Sequence, residues 1–166
     1  CTLNGNSGGG VSAGNATLTG CTLTGNSYRG VYTGYGGNAT LTDCTLNGNS
    51  GGGVSAGNAT LINCTLTDNS ADSSGGGVYT GYGNVTLTDC TLTGNSAGSS
   101  GGGVGTYGGT ATLINCTLTG NSAGSSGGGV HVWGNATLTG CTLTDNSADY
   151  SGGGVVASTA TLTDCI

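Results

Sequence analysis

Five Asn-x-Thr triplets recur at one phase of this sequence, beginning at Asn15, Asn38, Asn58, Asn84 and Asn135. The pattern is the acceptor for N-linked sugar, and in an extended strand the Asn and the Thr two residues on share one face. Two more triplets, Asn63-Cys64-Thr65 and Asn115-Cys116-Thr117, keep a second phase. Thr110 and Thr159 stand where the first phase lacks its Asn. Asn and Thr are abundant here, so N-A-T also reads as a turn leading into a strand. Confinement to two phases favours glycan attachment, in a source that has the machinery.

Cysteine is the second chemical feature, at Cys1, Cys21, Cys44, Cys64, Cys90, Cys116, Cys141 and Cys165. Stacked at a strand spacing of about 4.8 Å, these residues fall inside the Cα range for a disulfide. Parallel side chains are poorly aimed for bridging, however, and a buried free thiol packs as a small apolar group. Oxidised pairs suit a secreted chain, and an inert thiol column suits a core; both stay open. The sequence holds no C-x-x-C and no Cys/His cluster, so no metal site is expected.

Equipment for catalysis is sparse. His131 is the only His, Arg29 the only cation, and the seven acids are all Asp. The chain is not expected to be an enzyme. Asp68 with Asp72, and Asp145 with Asp149, could hold calcium weakly, although solvated turn residues are the plainer reading. Covalent glycans aside, no cofactor is expected. A pI near 4.1 excludes a nucleic-acid binder, which needs clustered Lys or Arg against phosphate. No apolar run approaches a membrane span, and no signal-peptide pattern occurs.

Three further positions recur. Asn6, Asn26, Asn49, Asn69, Asn95, Asn121 and Asn146 are always followed by Ser. Stacked one per coil, their amides would hydrogen-bond along the axis as an Asn ladder. Thr-x-Thr rows surround the apolar residues and raise an ice-binding alternative, against which stand Ile62 and Ile114 in one column and Asn4 and Asn47 in another. Aromatic residues gather in the variable gaps: Tyr32, Tyr35, Tyr79, Tyr82, Tyr107 and Trp133 after the recurring Val, Tyr28 and Tyr150 before it. Such an edge marks contact with a partner, a sugar or a neighbouring fibre, or else loops folded back over the rod.

The elements that must position these residues follow from the period. Each Cys opens the same phrase, at intervals of 20 to 26 residues, which is the mark of a repeat architecture. The units are 1–20, 21–43, 44–63, 64–89, 90–115, 116–140 and 141–164, with the start of an eighth, and the whole reads as one solenoid domain cut from a longer chain or fibre. With 39 Gly and no Pro, ordinary globular packing is not expected. Thr65-Leu66-Thr67 and Thr86-Leu87-Thr88 alternate as half-buried strands do, and Gly75-Gly76-Gly77-Val78 adds a third short strand. Leu66, Val78 and Leu87 then point inward and the Thr residues outward, with a corner at Asp89. The fold class is all-β: a right-handed parallel β-helix of seven coils, roughly 34 Å tall.

The repeated Gly-Gly-Gly-Val (Gly8 to Val11, Gly51 to Val54, Gly101 to Val104, Gly127 to Val130) and Leu-x-x-Asn (Leu3 to Asn6, Leu23 to Asn26, Leu92 to Asn95) resemble the paired motifs of bacterial polymorphic outer-membrane proteins and autotransporter-type adhesins. In those motifs Ala stands for the third Gly and Phe for Leu. The resemblance implies a right-handed β-helix at a cell surface or outside the cell. Taken with the uniform repeats, it predicts a glycosylated structural rod whose partner is another copy of itself, stacked end to end. The alternatives are the passenger of an adhesin facing a host or neighbouring cell, and an ice-binding solenoid.

Overall fold

The computed structural model describes all 166 residues, Cys1–Ile166. Every strand pairing is parallel and joins equivalent positions of successive units. One face is a seven-stranded sheet: Thr2–Asn4, Thr22–Thr24, Thr45–Asn47, Thr65–Thr67, Thr91–Thr93, Thr117–Thr119 and Thr142–Thr144. The alternation of Thr and Leu dictates its facing. Leu23, Leu46 and Leu66 pair in register and are fully buried, while the flanking Thr are exposed or half-buried. A second face stacks Val31, Val54, Val78, Val104 and Val130, and a third stacks Leu41, Leu61, Leu87, Leu113 and Leu138; all ten side chains are fully buried. The core is therefore a bundle of single-residue columns, with Ala and Cys filling the narrow places.

Two corners in each coil explain why the strands stop. The residue before each Cys adopts positive φ: Gly20, Asp43, Asn63, Asp89, Asn115, Gly140 and Asp164. So does the residue before each ladder Asn: Gly5, Gly25, Gly48, Asp68, Gly94, Gly120 and Asp145. Left-handed backbone favours Gly, Asn and Asp over all other residues, and only those three occur at these fourteen places. The corner expected at Asp89 is one of them, at φ 53°.

The Gly-Gly-Gly run is the third corner, and each glycine has its own reason. Gly101 has a φ of +67°; a Cβ on Gly102 would overlap the Ser122 carbonyl; a Cβ on Gly103 would lie 2.6 Å from the Gly129 carbonyl oxygen. The coils approach too closely here for a side chain.

The expected three strands per coil need two adjustments. From the fourth coil on, Ser70–Ala71, Ser96–Ala97, Ser122–Ala123 and Ser147–Ala148 form an additional four-stranded sheet. In the sixth and seventh coils the second and third strands fuse into Val130–Thr139 and Val155–Thr163. The longer loops supply one backbone segment extra, which pairs with its copy above rather than remain unpaired.

Candidate functional site

The recurring Asn side chains lie inside the rod. Asn26, Asn49, Asn69, Asn95 and Asn121 have no solvent exposure. Each reaches along the axis to the next coil: Asn26 Nδ2 donates to Asn49 Oδ1 at 2.8 Å, Asn49 to Asn69 at 2.8 Å, and Asn69 to Asn95 and Asn95 to Asn121 at 3.0 Å. The same Oδ1 also accepts the main-chain N–H of the preceding coil, as Asn95 Oδ1 does from Asn69 at 3.1 Å. The remaining Nδ2 hydrogen goes backward, from Asn95 to the Leu66 carbonyl at 2.9 Å. Each amide thus closes the corner that the left-handed residue before it opens. The ladder has a direction: every amide-to-amide bond runs from Nδ2 of the lower-numbered coil to Oδ1 of the next.

The sequon residues form a second column on the outside. Asn15, Asn38, Asn58, Asn84 and Asn135 are all exposed. This column runs the opposite way: Asn58 Nδ2 donates to Asn38 Oδ1 and the Asn84 N–H to Asn58 Oδ1, both at 2.9 Å, and Thr110 caps Asn84 at 3.0 Å. Asn63 and Asn115 are the left-handed corner residues, and their Nδ2 groups donate to the corner carboxylates Asp43 and Asp89 at 2.6 and 3.2 Å. Backbone conformation therefore accounts for Asn at these two positions. It also accounts for Asp68 and Asp145. No three His, Cys, Asp or Glu side chains gather as metal ligands.

All eight cysteines are free thiols, and Cys21, Cys44, Cys64, Cys90, Cys116 and Cys141 are buried. Each thiol after Cys1 donates to the carbonyl two residues before it, as Cys44 does to Thr42 and Cys90 to Thr88 at 3.2 Å. The thiol is thus a second donor to a carbonyl that already accepts a main-chain N–H of the preceding coil, as Thr42 does from Gly20 at 3.0 Å. The neighbouring Cys90 sulfur and burial push Cys64 above the ordinary thiol range; the Cys141 and Cys90 sulfurs and burial do the same to Cys116. Both stay protonated and unreactive in the fold. In native buffer a thiol reagent is expected to label Cys1 and Cys165 first and the six buried thiols only on unfolding. Unfolding without reductant should expose eight reactive thiols by mass spectrometry; a smaller number would mean that disulfides replace the column.

The aromatic side chains make an edge rather than a uniform covering. Tyr35 and Tyr82 are 76% and 87% exposed, whereas Tyr32 and Tyr79 are half-buried. Tyr79, Tyr107 and Trp133 follow one another up the rod, with ring centroids 6.2 and 6.1 Å apart. His131 sets its edge against Trp133, and burial lowers its pKa. Arg29 lies 4.5 Å over the ring of Tyr28 and 4.8 Å over that of Tyr32. The Thr columns stack in register on two separate faces, and the exposed Ile62 and Ile114 break the row beside one of them.

Residues 1–122 match the family described as the right handed beta helix region. Comparison with curated proteins gives no match, and neither does comparison with solved structures. The match spans well over half of the chain, and the registered parallel coils, the two left-handed corners and the inward Leu, Val and Asn columns are the features of such a helix. The chain belongs to the right-handed β-helix family.

Proposed function

We propose that the protein is an extracellular structural rod that builds a filament or surface stalk by end-to-end addition of coils, without enzymatic activity. The buried Asn ladder carries this reading. A ladder of this polarity presents an acceptor at one end of any stack of coils and a donor at the other. Added coils, from the same chain or another copy, continue it in one direction only, which is a heterologous, filament-forming contact. The backbone edge of each coil offers the same template to the next.

Sedimentation and electron microscopy on residues 1–166 test the reading. Concentration-dependent growth into rods of one coil diameter is the expected result. A segment that stays monomeric and soluble at high concentration would remove its support.

Glycan attachment belongs to the same proposal, with a steric limit. Asn38 and Asn58 are directly paired neighbours. A separation of about 4.8 Å leaves no room for sugars on both. The exposed sequons lie on coils one to four and six, so at most three can be occupied together.

A second reading is the passenger region of a surface adhesin of the polymorphic outer-membrane type. The exposed aromatic edge favours it, because a filament needs no such edge. Against it, the third Gly in place of Ala matters here, since a Cβ there meets the next coil's carbonyl.

A further inference from the structure

The loop between each ladder Asn and the recurring Val changes length once along the rod. It holds four residues in each of the first three units and eight in each of the last four. In the longer loops the added residues pair from coil to coil. Gly98 donates to the Ala71 carbonyl at 2.9 Å and Ser99 to the Ser73 carbonyl at 2.7 Å. Gly124 and Ser125 repeat these bonds to Ala97 and Ser99, and Asp149 and Tyr150 to Ala123 and Ser125. In every case the N–H belongs to the upper coil and the carbonyl to the lower one. The equivalent donors of the fourth coil are Asp72 and Ser73, but the third coil passes from Ser50 straight into Gly51 and puts no carbonyl beneath them. Neither N–H makes a hydrogen bond within the protein, and both residues are exposed.

The space under this open edge has the width of one strand. It is a recess of about 190 Å³ backed by Gly51 and Ser55, and the next wall below it is Tyr28 and Arg29 of the second coil. Two coil spacings, roughly 10 Å, separate that wall from the overhanging loop, so a single strand fits at about 4.8 Å from each. The loop returns to the core beside Tyr79, since a Cβ on Gly75 would lie 2.5 Å from that of Tyr79. Tyr79 and Tyr35 border the recess, and beyond them lies an apolar cleft of about 420 Å³ against Tyr82 and Tyr107. A strand running parallel to residues 70–74 therefore leaves the recess at the cleft.

We infer that residues 70–74 are a strand-addition site for an extended peptide of a partner protein, with small side chains where it pairs and a large apolar one two residues on. Carbonyls two residues apart, spaced like those of Ala71 and Ser73, accept from the Asp72 and Ser73 N–H groups. The filled copies set the chemistry, because the segments that pair above read Ser-Ala-Gly-Ser-Ser in the fifth and sixth coils. Gly51 carries no side chain to hold such a segment away. The apolar side chain enters the tyrosine cleft and leaves water there. Exposed edges are ordinarily blunted by Lys or Pro, and residues 70–74 contain neither. Ala71, Ala97 and Ala123 already give their carbonyls to the coil above, so the occupant comes from outside the rod. The edge lies on the side of the rod and stays open when coils are added at its ends, so binding does not depend on assembly.

Amide hydrogen exchange read by NMR tests the site, with acetyl-Ser-Ala-Gly-Ser-Ser-Leu-amide as the probe and the same peptide built from D-residues as its control. In the free protein Asp72 and Ser73 should exchange as open backbone does, while Gly98 and Ser99 are protected. A peptide this short is expected to bind with a dissociation constant of about 1 mM. At about ten times that concentration the Asp72 and Ser73 amides should slow about tenfold, and the D-peptide should leave them unchanged. Asp72→Pro removes one of the two donors and should weaken binding about tenfold, whereas Asp72→Ala keeps the N–H and should bind as the parent does. The Asp72 N–H makes no bond in the fold, so both variants should melt with the parent. No slowing with the L-peptide, or equal affinity of the two variants, would overturn the assignment. So would amides already protected in concentrated, peptide-free protein and released on dilution, which would give the edge to a second copy of the chain.

Discussion

Replacing Asn95 by leucine is expected to destabilise the rod by about 4 kcal/mol, the largest effect of any single polar substitution in it. Leucine roughly keeps the volume of asparagine and so keeps water out. The Leu66 carbonyl then loses its donor, and the main-chain N–H and Nδ2 of Asn69 lose their acceptor. Each such orphan in a buried place costs about 1–3 kcal/mol. The Asn121 Oδ1 also loses the Nδ2 donor and keeps only the main-chain N–H of residue 95. Asn6→Leu is the control, since Asn6 is exposed and makes a single side-chain bond upward; it should cost less than about 1 kcal/mol. Urea unfolding checks both, with hydrogen exchange resolved by coil, because a solenoid fails locally before it fails as a whole. Equal midpoints for the two variants would show that the ladder contributes little.

Gly103→Ala should cost about 3 kcal/mol, although it adds only one methyl group. Its Cβ lies 2.6 Å from the Gly129 carbonyl oxygen, a backbone atom already bonded to the Val104 N–H at 2.9 Å. Relief requires the two coils to separate, which weakens every bond between them. Two other glycines divide the cause. Gly120 has open space around it but a φ of +62°, so alanine there costs about 1–2 kcal/mol for conformation alone. Gly8 has both open space and ordinary backbone, and alanine there should be neutral. An order of Gly103, Gly120, Gly8 in thermal shift is the expected outcome, and a Gly103→Ala protein as stable as Gly8→Ala would contradict the close approach of the coils.

The columns could be read from the sequence because period-two alternation repeats seven times with the same residues. Leu66, Val78 and Leu87 face the core for that reason, and the slip at Asp89 was a simple matter of parity. The left-handed corners were equally visible, as two positions that admit only Gly, Asn and Asp. They were obscured at Asn63 and Asn115 by the sequon and at Asp68 and Asp145 by the look of a cation loop, and positive φ explains all four. The Ser-Ala strands were hidden because two residues carry no periodicity; they form only where a neighbouring long loop supplies a partner. A recess at the short third coil could not be found from any motif, because Arg29 on one side of it lies far in sequence from Asp72 and Ser74 on the other until coiling brings them together.

The backbone hydrogen bonds between neighbouring coils run parallel to the axis, as those joining Val78 to Gly103 and Thr65 to Cys44 do, at a strand spacing of about 4.8 Å. Tension applied to the two chain ends therefore loads these bonds in series, and the outermost coil peels away while the rest stay wound. Each coil stores 20 to 26 residues, so one that peels lengthens the molecule by roughly 70–90 Å before the next takes the load. A tether built this way yields in steps under a sudden pull and spends the work coil by coil. It rewinds from whichever coil remains, since the coil still in place is the template for the one that was lost.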